Sequence, residues 1–275
     1  ITINGANVSW ADVGLKIAYS SSVEIRSCIT CNNSMCGIAC YYSSHVIITN
    51  CTVSQCDLLG ISCGCLSNAT IVNCRVNQNG RNGIVCGYSS GIVISNCAMN
   101  QNHLGFGCVC SSNITLTGCV ISGNIVGISC YSSQDMVITS CTVNWTYGGG
   151  EGVICCLSSN ICILSCTINV TTDGSGVRCE SSSGIVISDC TISWNGENGI
   201  YCYNSTEIII TGCEICQNHW SGIYCRDSSV EVHYCNIYSN EGHGLYNYGR
   251  YLVNATYNWW GSPEGPEYKA EGDPE

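Results

Sequence analysis

The chain is short of charge. Only 10 % of its 275 residues are charged, 8 Lys and Arg against 19 Asp and Glu, for a net charge of −11. Typical soluble domains carry about 25 %. Eight scattered basic residues cannot build the cationic face that displaces counterions from a phosphate backbone, which excludes nucleic acid as a partner. No apolar run approaches the roughly 18 residues of a membrane-crossing helix, so no membrane span is expected. Phe occurs once and Pro three times, and Leu and Lys are sparse. A chain leaning instead on Ser, Thr, Asn, Gly and Ile favours short strands and turns over helices. No leader peptide is visible: position 1 already reads as strand, so a leader would lie outside this chain.

What is abundant is cysteine, 27 residues, and glycine, 31, and both are periodic. Gly followed by an apolar residue recurs at Gly14, Gly37, Gly60, Gly83, Gly105, Gly127, Gly152, Gly176, Gly199, Gly222 and Gly244, in steps of 22 to 25 residues. A first cysteine column sits three residues on, at Cys40, Cys63, Cys86, Cys108, Cys130, Cys155, Cys179, Cys202 and Cys225. A second follows ten or eleven residues later, at Cys28, Cys51, Cys74, Cys97, Cys119, Cys141, Cys166, Cys190, Cys213 and Cys235. A period near 23 marks a solenoid. The chain reads as one elongated body of about eleven rungs that grows by stacking.

Within the rung from Gly83 to Asn102, Ile84 and Cys86 alternate with Val85, and Ile92 and Ile94 alternate with Val93. Each alternation is a short strand with one face buried, and Met99 marks a third. Three strands and three turns per 23 residues make one coil of a parallel β-helix, with equivalent residues stacked about 4.8 Å apart. A third column, Asn33, Cys56, Asn79, Asn102, Asn124, Asn195, Asn218 and Asn240, lies five residues past the second cysteines. Asn there can bond the amide of the next rung and satisfy a buried bend. Tyr147-Gly148-Gly149-Gly150 and Thr171-Thr172-Asp173 interrupt this column and are expected to bulge from one side.

The pattern G-I-x-C-x-x-S-S-x-x-x-I-x-N-C-x-I-x-x-N resembles the right-handed parallel β-helix repeat of pectate-lyase-like and NosD-type proteins, from about Val13 to Trp260. Such repeats usually carry Leu at the first cysteine column and Asn at the second, so cysteine at both is a departure. Tyr257-Asn258-Trp259-Trp260-Gly261 resembles the N-W-W-G closure that follows such repeats in archaeal and bacterial surface proteins. The resemblance implies an all-β fold, a right-handed solenoid over 1–261; the acidic, Pro-containing tail that follows, 262–275, is of a kind that needs something to dock on. It does not imply one function, because lyases, glycosidases, adhesins and surface proteins share the fold.

The ladder cysteines have three readings: small hydrophobes in a core, strained disulfides between rungs, or a soft-metal row. Off the ladder, Cys156 with Cys162, and Cys31, Cys36 and Cys56, are the better disulfide candidates. An odd total leaves at least one free thiol. Neither a metal nor a cofactor is expected. Sequons at Asn7, Asn32, Asn50, Asn68, Asn113, Asn144, Asn169, Asn204 and Asn254 favour an extracellular or cell-surface glycoprotein, with Asn50 poorly accessible. Asn68, Asn113 and Asn204 are expected to share one turn column.

Enzymes on this fold need clustered carboxylates on an outer face. Glu180, Glu207, Asp227 and Glu231, with Arg178 and Arg226, are the catalytic candidates, against a solvated turn with surface ion pairs. Asp189 and Glu214 lie in adjacent rungs. Tyr201, Tyr224 and Tyr246 are expected to stack outward as a strip that binds sugar rings or protein. His219, Trp220, Tyr238 and His243 gather on another edge. At the ends, Ile1 and Ile3 start a rung without a cap, while Trp259 and Trp260 close the last one. Open ends suggest self-assembly head to tail. The expectation is therefore a secreted structural subunit of a filament or surface layer, with a carbohydrate-active enzyme or polysaccharide-binding module as the alternative.

Overall fold

In the computed structural model, which describes residues 1–266, the chain is a right-handed parallel β-solenoid without helix. Thirty-four strands form three parallel sheets, one of 12 strands and two of 11, and each strand pairs with the one a full coil away. The glycine sheet runs from Val13–Ala18 to Leu245–Tyr248, the twelve-stranded sheet from Thr2–Asn4 to Asn254–Thr256, and the short-strand sheet from Asn7–Ser9 to Asn236–Tyr238. Register keeps like on like: Cys63, Cys86, Cys108 and Cys130 stack in the glycine sheet. Ile48, Ile71, Ile94 and Leu116 stack in the twelve-stranded sheet. The inward residues form one continuous core along the axis.

Each coil turns three corners, and all three follow one rule. A residue in the left-handed region precedes an inward polar residue, as in Gln78–Asn79, Tyr88–Ser89 and Asn96–Cys97. The inward side chain accepts the corner N–H of the previous rung. At one corner Asn102 Oδ1 takes the Asn79 N–H at 3.0 Å. At the next, Ser111 Oγ takes the Ser89 N–H at 3.1 Å and donates to the Val109 carbonyl at 2.9 Å. At the third, Cys97 Sγ lies 3.4 Å from the Cys74 N and donates to the Ser95 carbonyl at 3.4 Å. The second cysteine column thus does the work that Asn does in the resembling repeats. Where that column ends, Asn258 Oδ1 takes the Cys235 N–H at 2.9 Å. The serine ladder, Ser89 through Ser228, was not anticipated as a structural column.

The asparagine corner breaks where expected. Thr146 and Thr171 take the inward place, their hydroxyls donating to the Gly150 and Gly174 carbonyls across the widened turns.

All 27 cysteines are free thiols, including Cys31, Cys36, Cys56, Cys156 and Cys162. Burial pushes the Cys36 thiol up to about 12, with Cys56 and Cys63 adding to it. Burial, and then Cys63, holds Cys40 higher still. Cys156 faces outward on the glycine sheet and Cys162 outward on the twelve-stranded sheet, either side of a corner. Asn68 and Asn113 share a left-handed turn column, but Asn204 does not: it follows Ser181 and precedes Asp227 in the neighbouring column. The three-residue offset reflects which end of the polar turn the sequon occupies.

At the C-terminal end Trp260 packs against the core with Leu245, Val253 and Ala255. At the other end Ile3 is half-buried and Ile1 exposed. Residues 262–266 of the tail are described; the expected docking of the remainder lies outside the described residues.

Two outcomes follow from the corner rule and the burial. Cys97→Ala leaves the Cys74 amide buried and unpaired, a loss of about 1–3 kcal/mol, whereas Cys97→Ser keeps both bonds and loses less. Urea unfolding midpoints of the two variants check this. Titration of native protein with a thiol reagent modifies exposed Cys65 and Cys110 first, and the ladder thiols react only on unfolding.

Candidate functional site

The outer face of the glycine sheet changes character part-way along the solenoid. Two residues after each glycine, the outward column reads Lys16, Ala39, Ser62, Val85, Gly107, Ser129 and Ile154, then Arg178, Tyr201, Tyr224 and Tyr246. Four residues after, it reads Ala18, Tyr41, Gly64, Gly87, Val109, Tyr131 and Cys156, then Glu180, Tyr203, Arg226 and Tyr248. The position just before the glycine runs Val13, Cys36, Leu59, Asn82, Leu104 and Val126, then Glu151, Ser175, Asn198, Ser221 and His243. A bland surface gives way to a polar and aromatic one in the last rungs.

The anticipated tyrosine stack is present. Tyr201 and Tyr224 lie 5.3 Å apart and 11° from parallel, Tyr224 and Tyr246 5.4 Å apart. Arg178 caps one end over Tyr201 at 5.3 Å, and His243 caps the other at 4.9 Å from Tyr246. Because the rings cover one another's faces, the strip presents ring edges and hydroxyls rather than flat platforms. It is a comb of phenols with rung spacing. Burial, then Tyr201 and Tyr246, raises the Tyr224 phenol, which keeps it protonated as a donor. Beside the comb, Arg226 sits over the rings of Tyr203, at 5.2 Å, and Tyr248, at 5.9 Å. It has no carboxylate partner among the described residues.

Arg178 is held differently. Glu180 Oε2 lies 2.9 Å from its Nη2 and Glu151 Oε1 3.3 Å from its Nη1. Partial burial opposes the Arg178 charge, but Glu180 and Glu151 outweigh it and hold its pKa above the ordinary value. Glu151 is 8 % exposed, and its other oxygen takes the Ser175 N–H, as Asn198 Oδ1 takes the Ser221 N–H two rungs later. Burial raises the Glu151 carboxyl despite these bonds. Sequence reasoning missed Glu151. The signal was there: it opens the polar run before the glycines, directly after the Gly148–Gly150 insertion.

The four catalytic candidates do not form one cluster. Glu180 lies on the glycine-sheet face, while Glu231 faces outward on the twelve-stranded sheet, 3.8 Å from His233. Glu207 and Asp227 occupy left-handed positions at successive turns, without ion-pair partners among the described residues. The corner separates the two sheets, so residues close in sequence spacing point in different directions. Elsewhere, Glu214 accepts from the Tyr238 hydroxyl at 2.5 Å and His219 pairs with Glu241 at 2.7 Å. Asp189 accepts from its neighbour Ser188 at 2.6 Å. Trp220 is exposed.

Glu151 sets a pH dependence. Its folded pKa is raised, so the folded state holds its proton longer than the unfolded chain does. Its contribution to stability is fully present below the ordinary carboxylate pKa and is lost as pH rises through the raised value. Thermal melts across this window show that decline in the native chain and a flatter profile in Glu151→Gln.

Solved structures with the same fold cover nearly the whole chain. The A-module of Azotobacter vinelandii mannuronan C-5 epimerase AlgE4 matches with TM-score 0.67 at 14 % identity, over 97 % of this chain and 90 % of that one. A variant of the periplasmic alginate epimerase AlgG matches with TM-score 0.66 at 12 % identity, over 92 % and 77 %. The catalytic domain of a GH87 α-1,3-glucanase bound to nigerose matches with TM-score 0.67 at 12 % identity, over 98 % and 64 %. No curated protein sequence matches the chain significantly. These likenesses correct the expected filament subunit: the shared scaffold is that of carbohydrate-active enzymes.

Residues 1–143 match the family described as right-handed β-helix region, and residues 82–265 the periplasmic copper-binding protein (NosD) family. The residues here do not fit copper. No group of three or more His, Cys, Asp or Glu among the described residues is arranged to hold a metal. The second-column thiols are spent on corner carbonyls and amides inside closed coils. With more than half its length matched in each case, the chain belongs to the right-handed β-helix family and to the NosD family.

Proposed function

We propose that the chain is an extracytoplasmic carbohydrate-active protein that engages an acidic polysaccharide along the outer face of its last glycine-sheet strands. The observation that carries this is Arg226, a guanidinium cradled by Tyr203 and Tyr248 with no carboxylate partner among the described residues. In a chain of net charge −11, such a cation is positioned for an anion from outside. Its planar fork suits bidentate contact with a sugar carboxylate, and stacking limits the ordering cost. The phenols of Tyr201, Tyr224 and Tyr246 supply hydrogen bonds to successive sugars along the axis. Two of the similar structures are named for epimerisation of mannuronan or alginate, both uronate polymers, and the NosD family is described as periplasmic.

Glu151 and Glu180 favour chemistry on the bound chain. They flank one guanidinium, and burial lets Glu151 keep a proton above the usual carboxylate range. Two carboxylates in unlike environments are the arrangement that glycoside hydrolysis uses.

Calorimetric titration with oligomannuronate tests the binding reading. Arg226→Ala is expected to weaken binding at least about 10-fold, the scale of a lost charge-assisted bond of about 1.5–3 kcal/mol. Unchanged affinity would refute it. Reducing-end and unsaturated-product assays test the chemistry: turnover by the native chain is expected to disappear in Glu180→Gln while binding persists.

A further inference from the structure

The corner between the short-strand and glycine sheets carries a feature that the Arg226 face does not explain. Its left-handed position is filled by Trp10, Asn32, Gln55, Gln78, Gln101, Gly123, Trp145, Val170, Trp194, Gln217 and Ser239. Three of the chain's six tryptophans therefore stand in one column, each solvent-exposed. A bulky residue pays roughly 1–2 kcal/mol to hold that conformation, and an exposed indole recovers none of it by burial. Trp10, at φ 61°, is 81 % exposed.

Trp10 also walls an open surface depression of about 250 Å³ with Asp12, Asn32, Ser34, Gln55 and Asp57. We infer that this depression is a second carbohydrate subsite, distinct from the Arg226 face, that takes a neutral pyranose. The volume suits a single sugar ring. The indole offers an apolar face to the C–H side of the ring, and no aromatic side chain stacks on it. Two carboxylates and two amides ring the opening as hydrogen-bonding partners for hydroxyls. Asp12 is oriented by the Ser34 hydroxyl at 2.8 Å, and Asp57 has no ion-pair partner among the described residues.

Charge selects the ligand. No basic residue lines the depression, so Asp12 and Asp57 repel a uronate, the reverse of the selection at Arg226. A cation is not the better occupant, since no third carboxylate, His or Cys joins the pair among the described residues. Nor is a protein surface, because the column leading away is made of amides, with Gln78 donating to Gln101 at 3.0 Å. Further along, Trp145 and Trp194 stand two rungs apart, about 9.6 Å. That is the length of two sugars in an extended 1,4-linked chain.

Calorimetry with cellohexaose, mannohexaose and oligomannuronate on four proteins tests the assignment: the native chain, Trp10→Asn, Asp57→Asn and Arg226→Ala. At least one neutral hexasaccharide is expected to bind the native chain and to lose about 10-fold or more in affinity in Trp10→Asn and in Asp57→Asn, with Arg226→Ala unchanged. Asn tolerates the left-handed corner, so Trp10→Asn melts no lower than the native chain and its lost affinity is not unfolding. Failure of both neutral probes to bind, or equal binding by Trp10→Asn, overturns the subsite. The uronate titration of Arg226→Ala reads the other site separately.

Discussion

A parallel β-helix must turn three times per coil, and each turn buries a backbone amide that the sheets cannot pair. This protein solves that problem with three ladders of inward side chains, Ser, Cys and Asn, each accepting the corner N–H of the previous rung. The ladders fix the register, because a side chain can reach the next amide only when equivalent residues lie on top of one another. The core columns of Ile, Val and Cys then stack as a consequence. So does every outward column, including those that form the candidate site.

The same constraint explains the cysteines. A thiol is small enough for a closed interior and still has a donor and a weak acceptor. At the second column it bridges a carbonyl two residues earlier and an amide one rung away. The first column, Cys40 through Cys225, is buried in the aliphatic core, with Cys108 also reaching the Ser129 carbonyl at 3.6 Å. This account needs neither metal nor disulfide, and burial raises the thiols of Cys36 and Cys40, which holds those two in the protonated, unreactive state.

Function on such a scaffold is written on the outside, where the ladders impose nothing but spacing. Constant spacing turns an outward column into a ruler with one group per rung. The Tyr201-Tyr224-Tyr246 comb and the tryptophan corner use that ruler with opposite chemistry. One is edge-on phenols beside a guanidinium with no carboxylate partner among the described residues; the other is exposed indole beside carboxylates.

The repeat of glycine and cysteine was by itself enough to determine the fold, the rung length, the inward columns and the alignment of the three tyrosines. Periodicity encodes stacking, and stacking fixes which residues share a face. The sequence did not reveal which side of a corner a residue takes. Glu180 and Glu231 read as loosely clustered around one turn, yet lie on different sheets, and Asn204 lies one turn column away from Asn68. Nor did it show that stacked tyrosines hide their faces, that Glu151 reaches Arg178, or that Trp10 and Asp57 share a surface depression. Those facts depend on where the chain bends between strands, and the bend is decided by backbone packing in three dimensions rather than by spacing along the chain.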